Sequence, residues 1–160
     1  MGIATFPAPS AASKTRYVVT LTSGTSWTVP TGVTYVNATL IGGGGGGSSQ
    51  GNSNGNDPAT ANPATGGQII ETTVNTTPGN SITYGIGAGG GSGSSGGSTT
   101  FTGATTASGG IGGGSGAFNG ATGTSFRSAS NGGNSAFTWS GNDRSGGTGG
   151  SGCIILEYWA

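Results

Sequence analysis

Apolar residues in this chain recur at every second position in short segments, and nowhere at the spacing of an amphipathic helix. Tyr17, Val19 and Leu21 alternate with Val18, Thr20 and Thr22; Trp27 and Val29 lead into a Pro30-Thr31-Gly32 turn; Val36, Ala38 and Leu40 alternate with Tyr35, Asn37 and Thr39. This pattern predicts a β-meander. Further on, Ile70, Thr72 and Val74 mark one strand and Ile82, Tyr84 and Ile86 the next. Between them Thr77-Pro78-Gly79-Asn80 places Pro and Gly where a type II turn requires them, which predicts a hairpin. The last segment, Cys153 to Trp159, is apolar on both alternating faces and reads as a central strand covered on both sides.

Glycine fills most of the remaining chain: 39 of 160 residues, gathered in runs such as Gly42 to Gly47 and others within 87–97 and 109–116. Such composition without a strict repeat is ordinarily the mark of disorder, because too little apolar surface is buried to offset the entropy of ordering. Across 88–152 apolar residues come singly, Phe101, Ile111, Phe118, Phe126, Phe137 and Trp139 among them. Two states fit that segment. One is a flexible linker; the other is a stack of polyproline-II-like strands, three residues per turn, packed so closely that only Gly fits inside. The core-like strand at 153–159 favours the ordered stack, since a structureless loop of that length is improbable inside one compact domain. The expected fold is all-β: a small antiparallel β-sandwich, jelly-roll-like, with glycine-rich, partly polyglycine-II-like loops and no helices. Residues 1–16, with Pro7 and Pro9 around Ala8, read as an extended arm ahead of a β domain at 17–160. Its strands are expected at about 17–41, 68–87 and 153–159, with the glycine-rich insertion at 88–152.

Charge removes several functions. Only 5% of residues are charged, and Lys14, Arg16, Arg127 and Arg144 balance Asp57, Glu71, Asp143 and Glu157. Four scattered cations do not make a nucleic-acid surface. Histidine is absent, so the commonest general base and metal ligand are missing and no Ser/His/Asp set can be assembled. Cys153 has no second cysteine to pair with and reads as a buried, inert thiol. The Gly42 to Gly47 run lacks the Gly-Lys-Ser/Thr of a phosphate loop. Asp57 before Pro58 reads as an Asx turn rather than a Ca²⁺ ligand. No segment has the length of apolar chain that a membrane helix needs, and residues 1–7 lack the basic and apolar regions of a signal peptide. The expectation is a protein with no catalytic residues, no metal, no cofactor and no membrane insertion.

Recognition chemistry is better represented. Aromatic faces beside neutral amides and hydroxyls suit sugar rings, and that mixture occurs in Phe118, Asn119, Phe126, Arg127, Phe137, Trp139, Asn142, Asp143 and Arg144. These are the candidate contact residues, with Trp139 the foremost, although a chain so poor in apolar groups also tends to bury its aromatics as local core. In the arm, Phe6, Pro7, Pro9, Lys14 and Arg16 are the candidate attachment residues.

The order of four motifs carries a resemblance. Gly24-Thr25-Ser26-Trp27-Thr28-Val29-Pro30-Thr31-Gly32-Val33 precedes the glycine run; Thr77-Pro78-Gly79-Asn80-Ser81-Ile82 precedes Gly85-Ile86-Gly87-Ala88-Gly89-Gly90; Ser98-Thr99-Thr100-Phe101 follows; and Gly152-Cys153-Ile154-Ile155-Leu156-Glu157-Tyr158 closes the chain. Together, over residues 17 to 158, they resemble the glycine-rich domain of bacteriophage tail-fibre and virion appendage proteins and, more distantly, the polyglycine-sandwich adhesins of T-even-type phages. The resemblance implies a homotrimeric virion protein at a tail-fibre tip or other surface appendage. Its arm would dock on other virion proteins and its loops on a host surface glycan or outer-membrane receptor. The alternative is a structural subunit, a capsid decoration or fibre-building piece without a receptor. An ice-binding or cell-wall glycine-rich protein is disfavoured, because regularly spaced Thr or Gly triplets are missing.

Overall fold

A computed structural model of the chain describes residues 14–48, 64–113 and 147–160. Among these there is no helix, and seven strands form two antiparallel sheets. The strands are β1 (Arg16–Leu21), β2 (Ser26–Thr28), β3 (Tyr35–Ile41), β4 (Ile69–Asn75), β5 (Ser81–Gly85), β6 (Thr100–Phe101) and β7 (Cys153–Trp159). One sheet runs β1-β7-β3-β4 and the other β2-β5-β6. The expected all-β class holds.

The core lies between the sheets. From the larger sheet Val36, Ala38, Leu40, Ile154, Leu156 and Tyr158 turn inward and are buried, and from the smaller one Tyr84 and Phe101 meet them. Trp27 of β2 packs against both Tyr158 and Phe101. Period-two alternation therefore selects one buried face per strand, and full burial of each of Leu40, Ile154 and Leu156 stabilises the fold by about 1.5–3 kcal/mol.

Three local expectations are corrected. The first three strands make no meander: β1 and β3 both pair with β7, and β2 belongs to the other sheet. The turn at Thr77 to Asn80 forms, with Gly79 at φ 82° and the Asn80 amide donating to the Thr77 carbonyl at 3.1 Å, but it closes no hairpin. β4 pairs with β3 while β5 pairs with β2 and β6, so the turn carries the chain from one sheet to the other. Val29 is the reason. Its amide donates to the Asn80 carbonyl and its carbonyl accepts from Gly79, each at 2.9 Å, so the groups beside the turn are already engaged. β7 is central, as expected, yet only its Ile154, Leu156, Tyr158 face is buried; Cys153, Ile155 and Trp159 are half-buried on the outside.

Past Ile41 the side chains stop and the period changes from two to three. Gly42 and Gly45 donate to the carbonyls of Gln68 and Thr65 at 2.9 and 3.0 Å; Gly43 and Gly46 donate to Gly97 and Ser94 at 2.9 and 2.8 Å; Gly44 and Gly47 donate to Gly150 and Gly147 at 2.8 and 2.9 Å. In the other direction, Gly110 and Gly113 donate to Gly43 and Gly46, and Gly90 and Gly93 to Gly44 and Gly47. Each neighbouring segment is thus met at intervals of three residues, the repeat of a three-residue-per-turn helix. The segments also bond to one another, as Gly149 N to Gly90 O at 2.9 Å and Gly96 N to Gly110 O at 2.8 Å. This is a polyglycine-II stack with 42–47 at its centre.

Close approach explains the glycines here. A Cβ at Gly46 would lie under 3.0 Å from the Gly91 carbonyl, inside any real carbon contact. Residues 42–47 are buried, so each backbone group left unpaired there would cost about 1–3 kcal/mol.

Candidate functional site

The stack has two ends of different character. At one end it is continuous with the sandwich: β3 runs into residue 42, residues 64–68 lead into β4, residues 147–152 lead into β7, and β5 leads out toward 87–93. The side chain of Thr99 seals this junction, its hydroxyl donating to Ile41 O at 2.7 Å and accepting from Gly87 N at 2.9 Å.

At the other end, around Gly45 to Ser48, the chain departs and returns three times. The 49–63 segment leaves after Ser48 and returns to Thr65, whose carbonyl accepts from Gly45. The 91–94 turn is held by Gly93 N to Gly47 O at 3.0 Å and by the Ser92 hydroxyl on the same carbonyl at 3.2 Å. The 114–146 segment leaves after Gly113, bonded to Gly46, and returns at Gly147, bonded to Gly47. Consecutive residues of one central strand thereby fix both ends of the longest excursion. Thr15 and Ala160 lie at the far end of the larger sheet, where they exchange backbone hydrogen bonds and Arg16 lies opposite Trp159.

Phe118, Asn119, Phe126, Arg127, Phe137, Trp139, Asn142, Asp143 and Arg144 lie outside the described residues, within this excursion. Phe6, Pro7 and Pro9 also lie outside them. Of the other two attachment candidates, Lys14 precedes β1 and is exposed, whereas Arg16 is the first residue of β1. Its Nε donates to Glu157 Oε1 at 2.5 Å, so this side chain is engaged by its own sheet. The bond holds the Glu157 carboxyl below the usual glutamate range and raises the Arg16 guanidinium above its own.

Among the described residues the charged side chains are Lys14, Arg16, Glu71 and Glu157, all on the larger sheet or beside it, and the tip carries none. Among the same residues no three His, Cys, Asp or Glu side chains gather as a metal site would need. Cys153 is half-buried, and desolvation pushes its thiol above the ordinary range, away from nucleophilic use. What the described part of the tip offers is a neutral surface with the exposed serines of 92–95 around the feet of two long excursions, the amides of Gly45, Gly46, Gly47, Gly93 and Gly113 being engaged within the stack.

Sequence reasoning missed a second exposed group. Tyr35 is 44% exposed on the outer face of the larger sheet and stands beside Trp159, ring centroids 6.4 Å apart, while Tyr17 and Val18 are exposed on β1. The available signal was Tyr17-Val18-Val19, apolar on both faces of one strand. Phe101 and Ile111, alike in the sequence as lone apolar residues among glycines, part ways: Phe101 is core and Ile111 is 51% exposed.

A two-sheet module continued by a polyglycine stack that gathers its loops at one end is a glycine-rich all-β domain. The family described as glycine-rich domain matches residues 20–137, more than half of the chain, and the protein belongs to it. No curated protein matches the chain in sequence.

Proposed function

We propose that this protein is a non-catalytic bacteriophage virion protein that recognises a host surface receptor, a glycan by preference, at the tip of a tail fibre or other appendage. One observation carries the reading: the long excursion holding the candidate contact residues is rooted on Gly46 and Gly47, at the opposite end of the domain from Thr15 and Ala160. Such a layout separates recognition from attachment. The arm ahead of β1 holds the module on other virion proteins while the tip faces outward. Exposed serine hydroxyls at the base of the tip suit a polyhydroxylated ligand, and aromatic faces in the excursion supply stacking. The stack supports this use because the described bonds of the 42–47 ladder run almost wholly between backbone groups and draw on few side chains.

The test is binding of the purified protein to bacterial envelope polysaccharides and its ability to block phage adsorption. Saturable binding that vanishes when 118–144 is replaced by a Gly/Ser segment supports the reading. Absence of both binding and blocking overturns it and favours a structural subunit without a receptor.

A further inference from the structure

β1 is an edge strand of the larger sheet, and half of its backbone groups have no partner among the described residues. Thr15 and Ala160 exchange two hydrogen bonds, Thr15 N to Ala160 O at 2.8 Å and Ala160 N to Thr15 O at 3.1 Å. In an antiparallel ladder such bonded pairs alternate with unbonded ones. Arg16, Val18 and Thr20 therefore carry their N–H and C=O groups away from β7, toward the open edge.

The side chains there are equally unprotected. Tyr17 and Val18, 45% and 54% exposed, both lie on this strand. Natural edges are normally guarded by proline, a bulge or an unpaired charge. Between Arg16 and Leu21 there is no proline, and the single charge, Arg16, is neutralised by Glu157 of its own chain. The other edge of the same sheet differs, since β4 carries the exposed carboxylate of Glu71 near its middle.

We propose that β1 pairs antiparallel with β1 of a second copy of this chain, about a twofold axis through Val18, so that the two larger sheets become one. The strand is self-complementary in one register only. Centred on Val18, Val18 faces Val18 of the second copy and Arg16 faces Thr20. All three outward-facing residues then find partners within the strand, making about six new backbone hydrogen bonds. A shift by one residue in the centre leaves Arg16 or Thr20 opposite a position outside β1. On one face the two Val18 side chains meet, and on the other Tyr17 meets Val19. No like charges are opposed, and a chain of zero net charge offers little repulsion to association. The pairing turns the two tips in opposite directions, so it is an association of the free protein, separate from the arm-docked state and from receptor binding at the tip.

Analytical ultracentrifugation over about a hundred-fold concentration range tests it. The expected result is a monomer–dimer equilibrium in the wild type and a monomer in V18K, whose ammonium groups would face each other at the axis. Val18 is exposed and buries little within its own chain, so V18K keeps the monomer folded. V18P removes only an outward N–H and is also expected to be monomeric, while Y35S, on β3, remains dimeric. As an independent readout, the Arg16, Val18 and Thr20 amides of the wild type exchange more slowly as concentration rises. A wild type that stays monomeric, forms a trimer, or remains dimeric as V18K and V18P overturns the proposal, as does exchange independent of concentration.

Discussion

Gly47 donates its amide to Gly147 at 2.9 Å, one residue after Gly46 accepts the amide of Gly113, so the 114–146 excursion begins and ends on adjacent residues of one strand. A loop whose ends are fixed this closely can vary in length at small cost, since closure entropy grows only with the logarithm of length. Replacing 118–144 by a Gly/Ser segment of equal length is therefore expected to leave the far-ultraviolet spectrum and the core unchanged while removing ligand binding. Circular dichroism, with glycan binding measured on the same samples, checks both halves.

Gly46 and Gly91 give a paired test of the stack. A Cβ on Gly46 would collide with the Gly91 carbonyl, and because that obstacle is backbone the neighbouring strand must move; a Cβ on Gly91 meets nothing within 4 Å. G46A is expected to lose about 2–4 kcal/mol, through overpacking and broken neighbouring bonds. G91A is expected to stay within about 0.5 kcal/mol of wild type. Denaturant titration of the two variants decides it, and equal stabilities would mean that the stack tolerates side chains.

These contrasts show which parts of the fold were legible in the residues. β3 was, because Val36, Ala38 and Leu40 mark its buried face by alternation; β7 was legible as a central strand, but not in its single buried face, since Cys153, Ile155 and Trp159 opposite Ile154, Leu156 and Tyr158 are apolar too. The Pro78-Gly79 turn was legible as a turn, but turn chemistry sets local dihedral angles and says nothing of which sheet the next strand joins. That choice rests with Val29, bonded to both Gly79 and Asn80 from far upstream in the sequence. The stack could be expected in kind, yet its neighbour order could not, since Gly46 and Gly113 are indistinguishable from other glycines. Their register is inherited from where β3, β4, β5 and β7 enter the stack. At the tip, the aromatic and amide residues of 118–144 were visible in sequence, while the fact that their segment is rooted opposite Thr15 and Ala160 depends on contacts between glycines.

Gly79 itself yields a narrower expectation. Its φ of 82° lies in the left-handed region, and a Cβ there has open space around it, so the cost of substitution is conformational alone. G79A is expected to destabilise by about 1–2 kcal/mol, while G79N, whose side chain tolerates that region better, loses less. Thermal unfolding of the two variants gives the comparison, and an equal loss would assign the effect to crowding instead.

The Arg16–Glu157 bond gives a pH dependence with a definite sign. Glu157 is held below the usual glutamate range chiefly by its hydrogen bond to Arg16, so the folded state binds the proton less readily than the unfolded one. The bond's contribution is complete above the ordinary glutamate range and is lost as pH falls through the lowered value of the folded protein. Arg16 is 59% exposed, and solvent screening keeps the effect on stability small. The carboxyl itself is the more sensitive reporter. In R16A the Glu157 carboxyl titration, followed by its side-chain carbon shift, is expected to move up toward the ordinary range, and added salt is expected to move the wild type in the same direction. A Glu157 titration unchanged by R16A would show that the carboxylate is held down by something other than its partner across β1 and β7.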